Sequence, residues 1–188
     1  MILYYLYVVL SPFLTIGLYI LGFFNPKVSE NIYQYKQIQK SVNKKLKINT
    51  KPILLFHAAS SGEFEQLKPI LRKIDRNQYF IIQSCTSPTL FNEKKVYSKY
   101  VDAACYQPFD MILGASKSFF QTLNPDIYII TRHDLWPKHI YNAYKQGVKI
   151  FYINANIHKK SIWMNNLVFP LSKFLFPKIN YITAPSLE

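Results

Sequence analysis

The sequence predicts an α/β domain with a Rossmann-like parallel sheet and helices on both faces, preceded by an N-terminal membrane-anchor helix. Two observations support this fold class: short apolar runs alternate with amphipathic segments from residue 52 onwards, and an uncharged apolar run begins the chain. Such alternation is typical of a parallel sheet with crossover helices. With 188 residues, of which 49% are hydrophobic, the chain has room for one such domain over residues 52–188.

The first 25 residues form the predicted anchor. From Ile2 to Phe24 the chain carries no charge, and this run is long enough to cross a hydrocarbon core of about 30 Å as a helix. A signal peptide is disfavoured because no basic start and no small-residue cleavage site are evident. A buried helix of a soluble domain is the weaker alternative, since no polar face appears at helical spacing. We therefore assign residues 1–25 to a membrane anchor.

A lysine-rich segment follows the anchor and predicts its orientation. No lysine precedes the apolar run, and residues 26–51 read as a basic juxtamembrane linker that accounts for much of the formal net charge of +13. Positive charge on this side predicts that the rest of the chain lies in the cytoplasm and is attracted to an anionic bilayer surface. The lysines concerned are Lys27, Lys36, Lys40, Lys44, Lys45, Lys47 and Lys51.

Two other classes of partner are disfavoured by the sequence. The basic residues concentrate beside the anchor and no nucleic-acid-binding motif is evident, so nucleic acid is not an expected partner. Cys85 and Cys105 are not part of any Cys/His cluster at zinc spacing, which predicts reduced cytoplasmic thiols and no metal site. No cofactor is expected.

The alternating pattern places each strand and helix in order. The first helix of the domain has Phe64, Leu67, Leu71 and Ile74 on one stripe, and Pro69 is predicted to bend it or end its first turn. The predicted strands are 52–57, 79–84, 101–105, 126–131, 148–153 and 179–183. The predicted helices of the domain are 62–75, 88–98, 111–122, 136–146 and 162–175.

Five polar segments follow the first five predicted strands. They read HAASSGE, CTSPT, YQPFD, TRHDLWP and NANIHKKS. Ligands of open parallel sheets bind at the carboxyl ends of the strands, so these loops predict one binding edge. Within it, His57 is expected to be a hydrogen-bonded framework residue, and Asp110 is expected to cap the next helix.

The first of these loops has two interpretations from its residues alone. Ser60 followed three residues later by Glu63 spells a capping box, in which a hydroxyl and a carboxylate reciprocally bind backbone N–H groups at a helix start. A carboxylate at a helix N-terminus also stays ionised and is a candidate general base. Capping and catalysis remain open at this point, and the two roles can coexist.

After the apolar N-terminal helix, six short motifs follow in this order: HAASSGE, TSPT, YQPFD, DLWP, NANIHKKS and ITAPSLE. This ordered set resembles the 3-deoxy-D-manno-octulosonic acid (Kdo) transferases of lipopolysaccharide synthesis. The resemblance implies a membrane-associated inverting glycosyltransferase of the two-domain GT-B type. It implies CMP-Kdo as donor and a phosphorylated lipid A precursor as acceptor, at the cytoplasmic face of the inner membrane. Glu63 then takes the position of the general base for the acceptor hydroxyl.

The resemblance also implies substrate contacts around Glu63. The N–H groups of the loop at Ser60, Ser61 and Gly62 are expected to hold an anionic substrate group, with Gly62 leaving room for its approach. The remaining expected substrate-binding residues are Ser87, Thr89, Arg132, Asp134, Lys160 and Ser161, with Lys159 beside them. For Ser87 and Thr89 a helix cap is the equal alternative.

Two features depart from the family pattern. Arg132 stands where the commonest family form has an acidic residue, and Asp134 stands where it has glutamate. The sequence ends at Glu188, near the position of the interdomain junction. We therefore expect an acceptor-side half that requires a C-terminal donor-binding half, on a separate chain or otherwise missing. The alternative is a non-catalytic, membrane-anchored α/β module that binds anionic lipid or a partner protein.

Overall fold

The computed structural model describes residues 1–93, 97–132, 134–158 and 160–184. Part of the predicted helix 88–98 lies outside this description, as do His133, Lys159 and the last four residues. The last four include most of the ITAPSLE segment.

Six parallel strands form one sheet, in the order β3-β2-β1-β4-β5-β6. All six predicted strands are confirmed within a few residues, because the central strands β1, β2 and β4 are short apolar runs that are largely buried, and β5 and the exposed edge strand β6 extend the same sheet. This order reverses direction between β1 and β4, as in doubly wound Rossmann-like sheets. The strands are β1 Ile53–His57, β2 Phe80–Cys85, β3 Ala103–Tyr106, β4 Ile127–Thr131, β5 Lys149–Ile153 and β6 Tyr181–Ile182.

Seven described α-helices accompany the sheet: α1 Ile2–Phe24, α2 Pro26–Leu46, α3 Ser61–Leu71, α4 Pro88–Asn92, α5 Ala115–Leu123, α6 Pro137–Lys145 and α7 Phe169–Leu175. The predicted helix 162–175 is divided into a 3₁₀ turn over Ile162–Met164 and α7, where Pro170 occupies the first turn. The predicted helix 111–122 begins only after Gly114, whose left-handed φ of 68° precedes α5. Pro69 lies inside α3, which continues to Leu71.

Successive residues of one strand fill two hydrophobic cores on opposite faces of the sheet. In β1, Leu55 packs in the core shared with α5 and α6, whereas Leu54 and Phe56 pack in the core shared with α3. This follows from the two-residue period of a strand. The α/β fold with both faces covered is therefore confirmed.

The predicted linker over residues 26–51 is corrected by the structure, because Pro26–Leu46 is the helix α2 and packs on the domain. Its inward side buries Ile32, Tyr35 and Val42, and two buried amides, Asn31 and Gln39, bond to the domain. The Asn31 amide donates to the Gln107 carbonyl at 3.2 Å. The exposed side carries the lysines of the segment.

The apolar helix α1 also packs on the domain along one stripe. Tyr4, Ser11 and Leu18 are buried at seven-residue spacing, and the ring of Tyr4 contacts those of Tyr141 and Phe174 at 4.6 and 5.2 Å between centroids. The remainder of α1 exposes apolar side chains. By length and composition α1 is the one helix of the described residues that is able to cross a membrane.

Asp110 caps a different helix from the one that the sequence predicts. Its carboxylate accepts from the N–H groups of Lys138 at 3.0 Å and His139 at 2.9 Å, at the start of α6, and lies 2.7 Å from His139 Nδ1. The helix that follows in sequence, α5, begins at Gly114 without a side-chain cap. The correction reflects topology, since the loop after β3 meets the helix after β4 at the same edge of the sheet.

We expect Asp110→Asn to lower the free energy of unfolding by about 2–4 kcal/mol, because a buried carboxylate that several donors share loses an acceptor oxygen. Urea unfolding in detergent, followed by tryptophan fluorescence, measures this change. Asp75→Asn, on an exposed turn, is the matched control and should change stability by less than about 0.5 kcal/mol. Equal stability of the two variants would contradict this role of Asp110.

Candidate active site

Ser60 and Glu63 form a cap at the start of α3, directly after β1. Ser60 Oγ accepts from the Glu63 N–H at 3.4 Å, and Glu63 Oε2 accepts from the Ala59 N–H at 2.7 Å. The carboxylate reaches one residue further back than in a standard capping box. Glu63 is 6% exposed, so the cap holds a nearly buried carboxylate at a helix N-terminus. The predicted cap is therefore present.

Gly62 leaves open space beside this carboxylate. A Cβ built on Gly62 would meet no heavy atom within 4 Å, and its φ lies outside the left-handed region. Neither packing nor backbone conformation therefore requires glycine at this position. The opening suits a ligand that approaches the helix start closely.

His57 and Asp134 meet where the strand order reverses. His57 ends β1, Asp134 follows β4, and His57 Nε2 lies 2.9 Å from Asp134 Oδ2. His57 Nδ1 lies 3.0 Å from Ser84 Oγ at the end of β2. The imidazole is fully buried and bonded on both nitrogens, as expected for a framework residue.

The Asp134 carboxylate is held in its ionised form. Burial raises its pKa, but the hydrogen bond and charge of His57 outweigh burial, and the pKa of Asp134 lies below its ordinary value. Because an ionised carboxylate only accepts, His57 Nε2 carries the proton of this bond. The Asp134 side chain is 17% exposed, so part of it faces the opening at the strand ends.

Buried polar side chains that the sequence analysis missed form a hydrogen-bonded group next to His57. Ser84 Oγ donates to Gln107 Oε1 at 3.4 Å, and the Tyr128 hydroxyl donates to the same oxygen at 2.9 Å. The signal available in the sequence was a polar pair, Gln83 and Ser84, at the end of an apolar strand. Fixed polar groups of this kind restrict the orientation of the imidazole.

Arg132 and Ser161 line one cavity of about 290 Å³ together with Tyr152 and Asn156. Arg132 is exposed and has a φ of 62°, a left-handed conformation that is unusual outside glycine and concentrates at functional loops. Its carbonyl accepts from the Tyr152 hydroxyl and from the Asn156 N–H. Lys160 is exposed next to Ser161, and its N–H donates to His158 Nδ1 at 3.2 Å.

Tyr152 lines this cavity and feels the charges of two carboxylates. The sequence analysis missed it because a tyrosine within a strand is usually a core residue. Burial, followed by the charges of Glu63 and Asp134, raises the pKa of Tyr152 to about 12. The phenol therefore stays protonated near neutral pH and lies in the field of both carboxylates.

Three of the other predicted residues, Ser61, Ser87 and Thr89, lie in or next to the loops after β1 and β2. The Ser87 N–H donates to the Ala59 carbonyl at 3.1 Å, and Ser61 Oγ donates to Glu93 Oε1 at 3.3 Å. Ser87 stands at the N-cap of α4 without a side-chain cap bond, and Thr89 is exposed in the first turn. The loops after β1 and β2 are thus joined beside Glu63. Within the described residues no group of three or more His, Cys, Asp or Glu side chains is arranged to hold a metal.

A family model described as 3-deoxy-D-manno-octulosonic-acid transferase matches residues 27–188, which include the whole of this site. The chain belongs to the Kdo transferase family. The resemblance stated from its motifs is therefore confirmed.

Curated Kdo transferases align with the chain at low identity. One from Chlamydia muridarum is 26% identical over 114 residues, covering 58% of this chain and 26% of the relative. One from Aquifex aeolicus is 28% identical over 123 residues, covering 61% and 34%. A probable mitochondrial Kdo transferase from Arabidopsis thaliana is 26% identical over 138 residues, covering 71% and 31%. The chain spans about a quarter to a third of the length of these relatives.

We expect Asp134→Asn to lower the free energy of unfolding by about 1–3 kcal/mol at pH 7, because the bond from His57 loses its charged acceptor. A depressed folded-state pKa stabilises the fold above the ordinary carboxyl pKa, and this contribution disappears as pH falls through the folded-state value. The difference between wild type and variant should therefore shrink toward pH 3 in urea titrations. A difference independent of pH, or one shared by Asp75→Asn, would contradict a stabilising hydrogen bond from His57 to the ionised Asp134 carboxylate.

Proposed function

We propose that the chain is the acceptor-side, catalytic-base half of an inverting Kdo transferase of lipopolysaccharide synthesis. It acts at the cytoplasmic face of the inner membrane, with CMP-Kdo as donor and a phosphorylated lipid A precursor as acceptor. The observation that carries the proposal is Glu63, a nearly buried carboxylate beside an open glycine at a helix start. Family membership supports the reaction class.

In the proposed reaction, Glu63 takes the proton of the acceptor hydroxyl while the hydroxyl oxygen forms its bond to the anomeric carbon of Kdo. The bond from that carbon to the phosphate oxygen breaks on the opposite face, and CMP leaves with the bonding electrons. The Ala59 N–H and the N-terminus of α3 favour the ionised carboxylate before proton transfer. One oxygen of the carboxylate is held by Ala59, which orients the group for general base catalysis.

The anionic groups of the substrates have two proposed contacts. The N–H groups at Ser60, Ser61 and Gly62 stand at the N-terminus of an 11-residue helix, which suits a carboxylate or phosphate. Ser87 and Thr89 border this loop and are proposed to donate hydrogen bonds to the same substrate.

The second proposed contact is the cavity beside β4 and β5. Arg132 and Ser161 line it, and Lys160 is exposed next to it, so we propose that it holds a phosphate group of the acceptor. Asp134, 17% exposed, is proposed to accept a hydrogen bond from a substrate hydroxyl. We propose that most of the CMP-Kdo site belongs to the part of the family's length that this chain does not span, on the same or a separate polypeptide.

A second candidate function is a non-catalytic module that binds anionic lipid or a partner protein. It is favoured by Arg132, which places a positive charge beside the site, and by the exposed lysines of α2. This candidate needs no base, so substitution at Glu63 distinguishes it from the enzyme.

We expect Glu63→Gln to lower Kdo transfer by at least about 100-fold, because the amide cannot accept the hydroxyl proton. The assay measures transfer from CMP-Kdo to a lipid A precursor in membranes that hold this chain and a C-terminal half from the same genome. Folding should persist, since the glutamine oxygen still accepts from Ala59. Glu65→Gln, on the same helix and 59% exposed, is the matched control and should retain transfer.

Retained transfer by Glu63→Gln would show that Glu63 only caps α3 and is not the general base. Absence of transfer by the wild-type chain, folded and combined with the C-terminal half, would favour the non-catalytic module.

A further inference from the structure

Polar contacts hold α1 against the α/β domain, although its composition suits a membrane span. Lys138 Nζ donates to Ser11 Oγ at 2.9 Å, and the Tyr7 hydroxyl donates to Asp110 Oδ2 at 2.9 Å. Thr15 Oγ1 donates to a backbone carbonyl of the domain at 2.7 Å. We call these contacts the polar latch, which comprises Tyr7, Ser11, Thr15, Asp110, the Met111 carbonyl and Lys138.

The latch is a buried feature rather than a surface contact. Ser11 and Asp110 are fully buried and Lys138 is 7% exposed. Burial lowers the pKa of Lys138, an effect that the nearby Asp110 carboxylate opposes. Removing one partner leaves a buried charged or polar group unpaired, which is costly.

The docked stripe excludes a transmembrane position for the docked helix. From Tyr4 to Leu18 the buried stripe extends over about 21 Å at the rise of an α-helix. If this length crossed a hydrocarbon core of about 30 Å, the contacting residues Asp110 and Lys138 would enter the core with their loops. Charged side chains and irregular backbone are expensive at that depth. A docked α1 and a spanning α1 are therefore mutually exclusive arrangements.

The outward side of α1 is an uninterrupted apolar surface. None of its residues is charged, and its exposed fractions include 82% at Ile2, 67% at Val9, 70% at Phe13 and 83% at Phe24. A surface of this extent is unusual for a chain in water and indicates an apolar partner. The neighbouring α2 exposes lysines, which complement anionic headgroups. Together these observations favour a lipid monolayer over a protein partner.

We propose that α1 lies in the plane of the membrane surface, fixed by the polar latch, with its outward side inserted into one leaflet. This proposal rests on the membrane location in the proposed function, but not on catalysis. The latch residues of the domain lie in the loop after β3 and at the start of α6, at the carboxyl edge of the sheet that also holds Glu63. The in-plane helix thus brings the candidate active site to the lipid surface, where a lipid-linked acceptor resides.

Cysteine labelling tests the orientation of α1 in vesicles of phosphatidylethanolamine and phosphatidylglycerol. A short hydrophilic N-terminal extension that carries one cysteine, and Lys27→Cys, place thiols in water next to the two ends of α1, and a membrane-impermeant maleimide is added to vesicles whose α/β domain is protease-accessible from outside. We expect both thiols to react within about twofold of one another, because both ends lie on one side. The unsubstituted chain is the control, since Cys85 and Cys105 are buried and burial raises the pKa of Cys105 to about 12.

Three results would overturn the proposal. The first is labelling of the N-terminal extension only after detergent is added, which indicates a span. The second is failure of the chain to float with the vesicles. The third is a stable dimer in detergent-free buffer that covers α1. None of these readouts depends on Kdo transfer, so failure here is distinguishable from failure of the proposed reaction.

Hydrogen exchange tests the latch itself. Lys138→Met should accelerate exchange of the α1 amides by about tenfold or more, because the bonded charge that anchors Ser11 is lost. Lys145→Met, an exposed position of the same helix α6, is the matched control and should leave α1 unchanged. Equal exchange in both variants would show that the polar latch does not hold α1 on the domain.

Discussion

The Asp110 carboxylate is the contact on which the arrangement of this molecule depends. It caps α6, bonds the imidazole of His139, which lies beside the rings of Phe119 and Phe120, and accepts from Tyr7 of the apolar N-terminal helix. A fully buried carboxylate is tolerated only where donors surround it, so these elements are fixed together or not at all. The position of α1 is thereby a property of the domain core, and α1 is part of the fold rather than a separate appendage.

The candidate active site is also formed by loops that meet at the carboxyl edge of the sheet. Strand order reverses between β1 and β4, so the loops after these strands diverge, and the charges of Glu63 and Asp134 both act on the neutral phenol of Tyr152. Polar residues at the ends of otherwise apolar strands, such as Ser84, hold His57 in place. The sheet holds the candidate site rigidly, and the loops carry its polar side chains.

The sequence predicted the strands well and the long-range polar contacts poorly, for physical reasons. A strand buried on both faces consists of consecutive apolar residues, which a sequence shows directly. The apolar stripe of α2 is interrupted by the buried amides Asn31 and Gln39, so the segment resembles a polar linker. Asp110 was predicted to cap a helix, but the helix it caps lies beyond the next strand, which local pattern cannot reveal. Tyr152 was missed because only its neighbours, Glu63 and Asp134, distinguish it from a core tyrosine.

Capping and catalysis at Glu63 do not compete in this geometry. The cap needs one carboxylate oxygen, which Ala59 holds, and a general base needs a fixed, ionised carboxylate that a ligand can approach. Gly62 is the residue that weighs toward catalysis: a cap does not require glycine there, since a Cβ at that position would meet nothing and the backbone is not left-handed. Under the proposed function, the open space at Gly62 is where the acceptor approaches the helix start.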